Sequence, residues 1–135
     1  MKNPVVQELL DEKVSEIAGV RSVVVVSEDG LTTYWSGTTQ DSADKRAAIA
    51  SGLSSLAASL AAEDDGGHVR RAMIEMDHSL FIIVRATSDS FLAASAQATA
   101  DLGTVGYELT LLAQRLAPVL EAGPRRAGAE GGAPA

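Results

Sequence analysis

Two very short junctions in the second half of the chain constrain the fold most. Asp77-His78-Ser79 lies between the segments His68–Met76 and Leu80–Ala86, and Thr87-Ser88-Asp89 lies between the latter and Ser90–Ala96. Parallel strands need a crossover of a dozen or more residues, whereas junctions this short allow only antiparallel hairpins. The sequence therefore predicts a three-stranded antiparallel meander with Leu80–Ala86 in the middle.

Two uninterrupted apolar runs indicate strands that are buried on both faces. One is Phe81–Val84 in the meander, and the other is Val23–Val26 within Val20–Ser27, which we predict to be a central strand. Asp29-Gly30 then favours a turn, since glycine tolerates positive φ, and Leu31–Ser36 is predicted to complete a second hairpin.

Three segments have apolar residues at spacings of three and four, which is typical of amphipathic helices. They are Asn3–Ile17, a segment from Asp41 or Ser42 to about Ala62, and one from Thr99 or Asp101 to Leu120. Asn3 is the expected N-cap of the first helix, Asp41 or Ser42 that of the second, and Pro118 is expected to distort or shorten the last. The order is αββαβββα, and a five-stranded antiparallel sheet covered by helices is the simplest packing.

The second helix leaves two interpretations open. Ile49, Leu53, Leu56 and Leu60 form one stripe that could pack on the chain's own sheet. The many alanines around them widen the apolar surface, and Gly52 would permit close approach to a neighbour. Because the following strand, His68–Met76, could lie at a sheet edge, a symmetric partner that covers both features is the second interpretation.

Composition limits the domain count and the class of partner. The chain has 135 residues, 46% of them hydrophobic, which suits one globular domain over residues 1–121. Residues 122–135 contain no large apolar side chain and are predicted to form a flexible tail. A net charge of −7 makes nucleic acid a poor partner, and the lack of cysteine excludes disulfides and thiolate sites. With no signal peptide or membrane-spanning run, we expect a cytoplasmic protein that does not insert into membranes.

Catalytic signatures are sparse in this sequence. No phosphate-binding glycine loop and no G-x-S-x-G motif is present, and Asp64-Asp65 lacks the ligand spacing of a calcium loop. The histidines, His68 and His78, are interpreted as solvated strand and turn residues rather than as bases or metal ligands. A hydrolase that uses a serine with Asp77 and His78 is the weakest hypothesis, and no metal or cofactor is expected.

Several segments together resemble the Roadblock family of dynein light-chain-type domains. They are Ile17-Ala18-Gly19-Val20-Arg21-Ser22-Val23-Val24-Val25-Val26-Ser27 with Asp29-Gly30-Leu31, then Ala48-Ile49-Ala50-Ser51-Gly52-Leu53 with Ser55-Leu56, Met76-Asp77-His78, and Ala100-Asp101-Leu102-Gly103 with Tyr107-Glu108. The resemblance is to actinobacterial members found beside small Ras-like GTPases and a sensor-kinase-like protein. It covers roughly Pro4 to Leu120. Tyr34, Trp35 and the tail depart from the family pattern.

The resemblance implies a profilin-like α/β sandwich with helices on both faces, and a homodimer joined through the second helix and third strand. It also implies a noncatalytic protein that binds and regulates or localises a small Ras-like GTPase in bacterial signalling, with membrane recruitment only through partners. The residues it assigns to dimer or partner contacts are Lys45, Arg46, Ile49, Gly52, Leu53, Leu56, Leu60, Met73 and Glu75. A profilin-like small-molecule sensory domain, with Tyr34 or Trp35 lining a pocket, is the alternative.

Overall fold

The computed structural model describes residues 2–121 of the chain. The helices and strands follow in the predicted order: α1 Pro4–Glu16, β1 Val20–Ser27, β2 Thr32–Ser36, α2 Gln40–Glu63, β3 Arg71–Glu75, β4 Ser79–Thr87, β5 Ser90–Gln97 and α3 Leu102–Glu121. The predicted tail, residues 122–135, lies outside the described residues. No helix within residues 2–121 is both long and apolar enough to cross a bilayer.

All five strands form one antiparallel sheet in the order β2-β1-β5-β4-β3. This order confirms that β1 is internal, that β4 is the middle strand of the meander and that β3 lies at an edge. Strands β1 and β4 are buried along most of their length, as their uninterrupted apolar runs predicted. The sheet therefore has apolar cores on both faces.

The helices divide between the two faces of the sheet. On one face, α1 and α3 bury Leu10, Leu109 and Leu116 against alternate strand residues such as Val25 and Ile82. On the other face, α2 lies over the intervening strand positions, which include large side chains from β4 and β5. The chain is thus a three-layer α/β sandwich, as the resemblance to the Roadblock family implied.

Two helix boundaries differ from the sequence prediction. The N-cap of α2 is Thr39 rather than Asp41 or Ser42, because the Thr39 hydroxyl accepts a hydrogen bond from the Ser42 backbone N–H at 3.2 Å. The last helix passes through Pro118 and ends at Glu121. Proline removes the bond to the carbonyl four residues earlier, at Gln114, but both residues are exposed and water can satisfy that carbonyl.

The third strand is shorter than predicted, Arg71–Glu75 instead of His68–Met76. Gly67 has a φ of 81°, so the chain is still turning after α2 when the predicted strand should begin. The last backbone bond toward β4 is donated by the Arg85 N–H to the Arg70 carbonyl at 3.3 Å. A short β3 therefore forms one edge of the sheet.

Candidate protein–protein interface

The contact between α2 and the sheet is made by small helix residues. Ala43, Ala47 and Ala50 are fully buried, at spacings of four and three along one helix face. They pack over large sheet residues: Val24, Val26, Phe81, Ile83 and Phe91. Because the sheet already fills the space between the layers, only alanine-sized side chains fit on the helix side. The alanine row is therefore the inward face of α2.

The large apolar residues of α2 face away from the chain's own core. Ile49 is 58% exposed, Leu56 70% and Leu60 62%. Leu53 alone of the predicted stripe packs partly against the core cluster. The interpretation that the whole stripe packs on its own sheet is therefore wrong: the alanines make that contact, and the larger side chains remain uncovered.

The two edges of the sheet differ in how they are protected. Along β2, the side chains of Lys2 and Gln7 donate hydrogen bonds to the backbone carbonyls of Thr33 and Trp35, the latter at 2.9 Å. Along β3, every backbone bond found within residues 2–121 goes toward β4 or the β3–β4 turn. The outer edge of β3 is thus open for pairing with another strand.

Exposed apolar side chains from α2 and the β3 edge form one continuous surface, which we call the α2–β3 surface. Its members are Ile49, Leu56, Leu60, Ile74 and Met76, whereas the exposed Met73 points to the other face of the sheet, where its Cε lies beside Gly106 of α3. A groove of about 350 Å³ lies between the helix and the strand, with Ile49 and Leu53 on one side and Ile74 and Met76 on the other. An uncovered apolar surface beside an open strand edge is typical of a protein interface.

The remaining residues that the sequence assigned to dimer or partner contacts differ in their exposure and in their contacts. Lys45 is exposed beside the groove, whereas Arg46 is half-buried and donates hydrogen bonds to the Ser42 and Ser95 hydroxyls. Glu75 is exposed at the end of β3. A Cβ added at Gly52 would meet nothing within 4 Å, so close packing at Gly52 does not occur within the chain. Gly52 instead lies on the outward side of the helix.

Sequence reasoning missed Ile74 and Met76, which line the groove. A signal for them was present, because Ala72, Ile74 and Met76 alternate along the strand and alternate residues share one face of a sheet. An edge strand with an apolar row beside a helix is a recognisable pattern. The resemblance directed attention to Met73 and Glu75, which lie on the opposite face of β3.

The other residues considered from the sequence do not form a reaction centre. His68 and His78 are both exposed. Within residues 2–121, no group of three or more His, Asp or Glu residues is placed to hold a metal ion. Tyr34 is buried, and its hydroxyl accepts a hydrogen bond from the Asn3 backbone N–H at 2.8 Å. It lines a cavity of about 660 Å³ at the end of the sheet near Leu120, whereas Trp35 does not.

The geometry is similar to that of several solved structures. A Roadblock/LC7 domain from Streptomyces avermitilis is 37% identical, with a TM-score of 0.82 over 86% of this chain and 98% of that one. Myxococcus xanthus MglB also has a TM-score of 0.82, at 15% identity over 90% of this chain and 99% of its own. Acanthamoeba castellanii profilin II has a TM-score of 0.58 at 18% identity, covering 83% of this chain and 96% of its own. At these low identities, the similarity to MglB and to profilin II shows a shared fold and nothing more.

The sequence comparison gives the family directly. The profile of the Roadblock/LC7 domain matches residues 6–96, from α1 to the end of β5. No curated protein is significantly similar to the chain in sequence. The profile match covers most of the folded region, and the Streptomyces domain shares both sequence and fold. The chain is a member of the Roadblock/LC7 family.

Proposed function

We propose that this chain is a noncatalytic homodimeric regulatory or scaffold domain that binds a small Ras-like GTPase in bacterial signalling. The observation that carries the proposal is the α2–β3 surface, an exposed apolar patch beside an open strand edge. Membership in the Roadblock/LC7 family supports the GTPase as the partner. A cytoplasmic location follows from such a role, with the membrane reached only through partners.

The occupant that we propose for the α2–β3 surface is a second copy of the chain. Two β3 edges can pair antiparallel about a two-fold axis, which would extend the sheet across both subunits. The same axis would bring the two α2 helices together, so that Ile49, Leu56 and Leu60 become covered. Gly52, with open space around it, would let the two helix backbones approach each other.

A dimer of this kind would offer a platform with two copies of every exposed side chain around the interface. Lys45 lies beside the groove without contributing to the core, so it is a candidate partner contact rather than a structural residue. In this proposal the GTPase keeps its own catalytic residues, and the dimer regulates or localises it. A sensor-kinase-like protein is a further candidate partner of the same platform.

Association with a GTPase is tested by interferometry on the purified protein. A bacterial small Ras-like GTPase, loaded with GDP or with a non-hydrolysable GTP analogue, should bind with an affinity that depends on the nucleotide. Lys45→Glu should weaken binding about tenfold, because it places a like charge against an interface that accepts a cation. Arg115→Glu is the matched control, because Arg115 is exposed on α3 across the sheet. Equal weakening by both variants, or no association, contradicts the proposal.

The cavity beside Tyr34 supports a second candidate, a small-molecule sensor. It has a volume of about 660 Å³, within the range of ligand sites, and the buried Thr32 hydroxyl on its wall has no hydrogen-bond partner within residues 2–121. A ligand bound only by the folded state must raise the melting temperature. A thermal-shift screen of polar metabolites should find a stabilising compound whose effect is lost in Thr32→Val; an unchanged effect in that variant rejects this candidate.

A further inference from the structure

A third cavity, a cleft, lies at the end of the sheet where α2 begins; it is separate from the Tyr34 cavity but adjoins the α2–β3 groove, with which it shares Arg46, Met76 and Phe81. Its volume is about 420 Å³, and it is lined by Arg21, Ser22, Gly37, Thr38, Arg46, Met76, Ser79, Phe81 and Ser95. Two of these residues are arginines, four carry hydroxyl groups and none is acidic. On a chain with a net charge of −7, this is a local concentration of positive charge.

The backbone places Arg21 at this cleft through an irregularity in the sheet. Val20 pairs with Ala96 and Ser22 with Ser95, so Arg21 is an extra residue on β1. A bulge of this kind redirects side chains, and bulges often adjoin functional sites. Gly37, with a φ of 81°, lies so close that an added Cβ would be 2.1 Å from the Arg21 carbonyl oxygen. Only glycine fits there, and its backbone supports the bulge.

Arg46 enters the cleft from α2 as a half-buried cation. Its Nε donates to the Ser42 hydroxyl oxygen at 3.1 Å, and its Nη1 donates to the Ser95 hydroxyl oxygen. The ion pair found within residues 2–121 joins Lys13 and Glu16, so no carboxylate oxygen of that region lies within 4.0 Å of the Arg46 guanidinium. A guanidinium has five N–H donors, and a partly desolvated cation without a counter-charge is costly. An anion bound in the cleft would remove that cost.

The hydroxyl groups complete the donor set for an anion. Ser22 is only 3% exposed, yet it lines the cleft, and its hydroxyl makes no hydrogen bond within residues 2–121. Thr38 and Ser79 add two further hydroxyls from different elements. Such donors, together with two guanidinium groups, match the acceptor oxygens of a phosphoryl group better than those of a single carboxylate.

We propose that this cleft binds a phosphoryl group carried by a small organic molecule. Arg21 and Arg46 hold the phosphoryl oxygens, with the hydroxyl of Ser22 as a neutral donor. The cleft is larger than a bare phosphate ion requires, and Met76 and Phe81 give the organic part of the ligand an apolar wall. Binding requires neither a second copy of the chain nor a GTPase, so it is measured on this protein alone.

Calorimetric titration with two probes, inorganic phosphate and phenyl phosphate, tests the site at constant ionic strength in chloride. Phenyl phosphate should bind saturably and more tightly than inorganic phosphate. Arg21→Gln should weaken its binding at least about tenfold, because a charged hydrogen bond is lost. Arg115→Gln is the matched control on α3, and circular dichroism confirms that each variant is folded. Arg46→Gln is a second variant that should also weaken binding; because Arg46 is half-buried whereas Arg21 is exposed, Arg21→Gln decides the test if Arg46→Gln fails to fold.

Each outcome bears on the site. Saturable binding that is weakened by Arg21→Gln but not by Arg115→Gln supports it. Absence of saturable binding, or equal responses of the two variants, overturns it. Inorganic phosphate that binds as tightly as phenyl phosphate overturns the organic part of the ligand and the role of Met76 and Phe81.

Discussion

Leu56→Asp is expected to convert a dimer of about 28 kDa, twice the chain mass of 13.9 kDa, into a monomer. Leu56 is 70% exposed in the single chain, so the aspartate is fully hydrated in the monomer. In the proposed dimer the same position is buried, and an unpaired buried carboxylate costs about 3–5 kcal/mol. Association should therefore weaken by at least about a hundredfold, which multi-angle light scattering over a concentration series measures.

Val5→Asp is the control for this experiment. Val5 is 48% exposed on α1, which packs on the opposite face of the sheet from α2. An aspartate there should leave the mass at the dimer value. A Leu56→Asp protein that remains dimeric, with an unchanged melting temperature, would remove the outward face of α2 from the interface.

Leu53→Asp is a poorer probe of assembly, although the sequence makes it appear equivalent. Leu53 packs partly against the core cluster beneath α2, so aspartate there disturbs the fold of each subunit as well as any interface. Loss of dimer in that variant would have two explanations. The exposure of Leu56 separates them, because its substitution leaves the core untouched.

The strands and their hairpin pairings could largely be predicted from the sequence, whereas the pairing of β1 with β5, which joins the first hairpin and the meander into one sheet, could not. Junctions of three residues force antiparallel pairing, and the runs at Val23–Val26 and Phe81–Val84 indicate burial on both faces. These signals are local, since each depends only on neighbouring residues. The N-cap of α2 was less predictable, because Thr39, Asp41 and Ser42 are all good capping residues and only the three-dimensional path selects one.

The face that α2 presents to the sheet could not be predicted from the helix alone. A stripe of large apolar residues usually faces the core, but here the sheet side chains, Phe81 and Phe91 among them, already fill the layer. The helix therefore turns its alanines inward. The same limit applies to the cleft that we propose to bind a phosphoryl group. Arg21, Arg46 and Ser95 are far apart in the sequence, and only the bulge in β1 and the folded sheet bring them to one cleft.

Ala47→Leu is expected to destabilise the folded chain substantially, while Ala48→Leu should not. Ala47 is 0% exposed on the inward face of α2, whereas its neighbour Ala48 is exposed, so the same substitution tests the two faces of one helix. Overpacking of a filled core costs about 1–3 kcal/mol, and a leucine against Phe81 and Phe91 should reach the upper part of that range. The free energy of unfolding from urea titrations measures the difference, with fluorescence of Trp35 as the signal, and both variants are made in the Leu56→Asp background, in which no dimer is expected. Equal losses in the two variants would contradict the inward orientation of the alanine row.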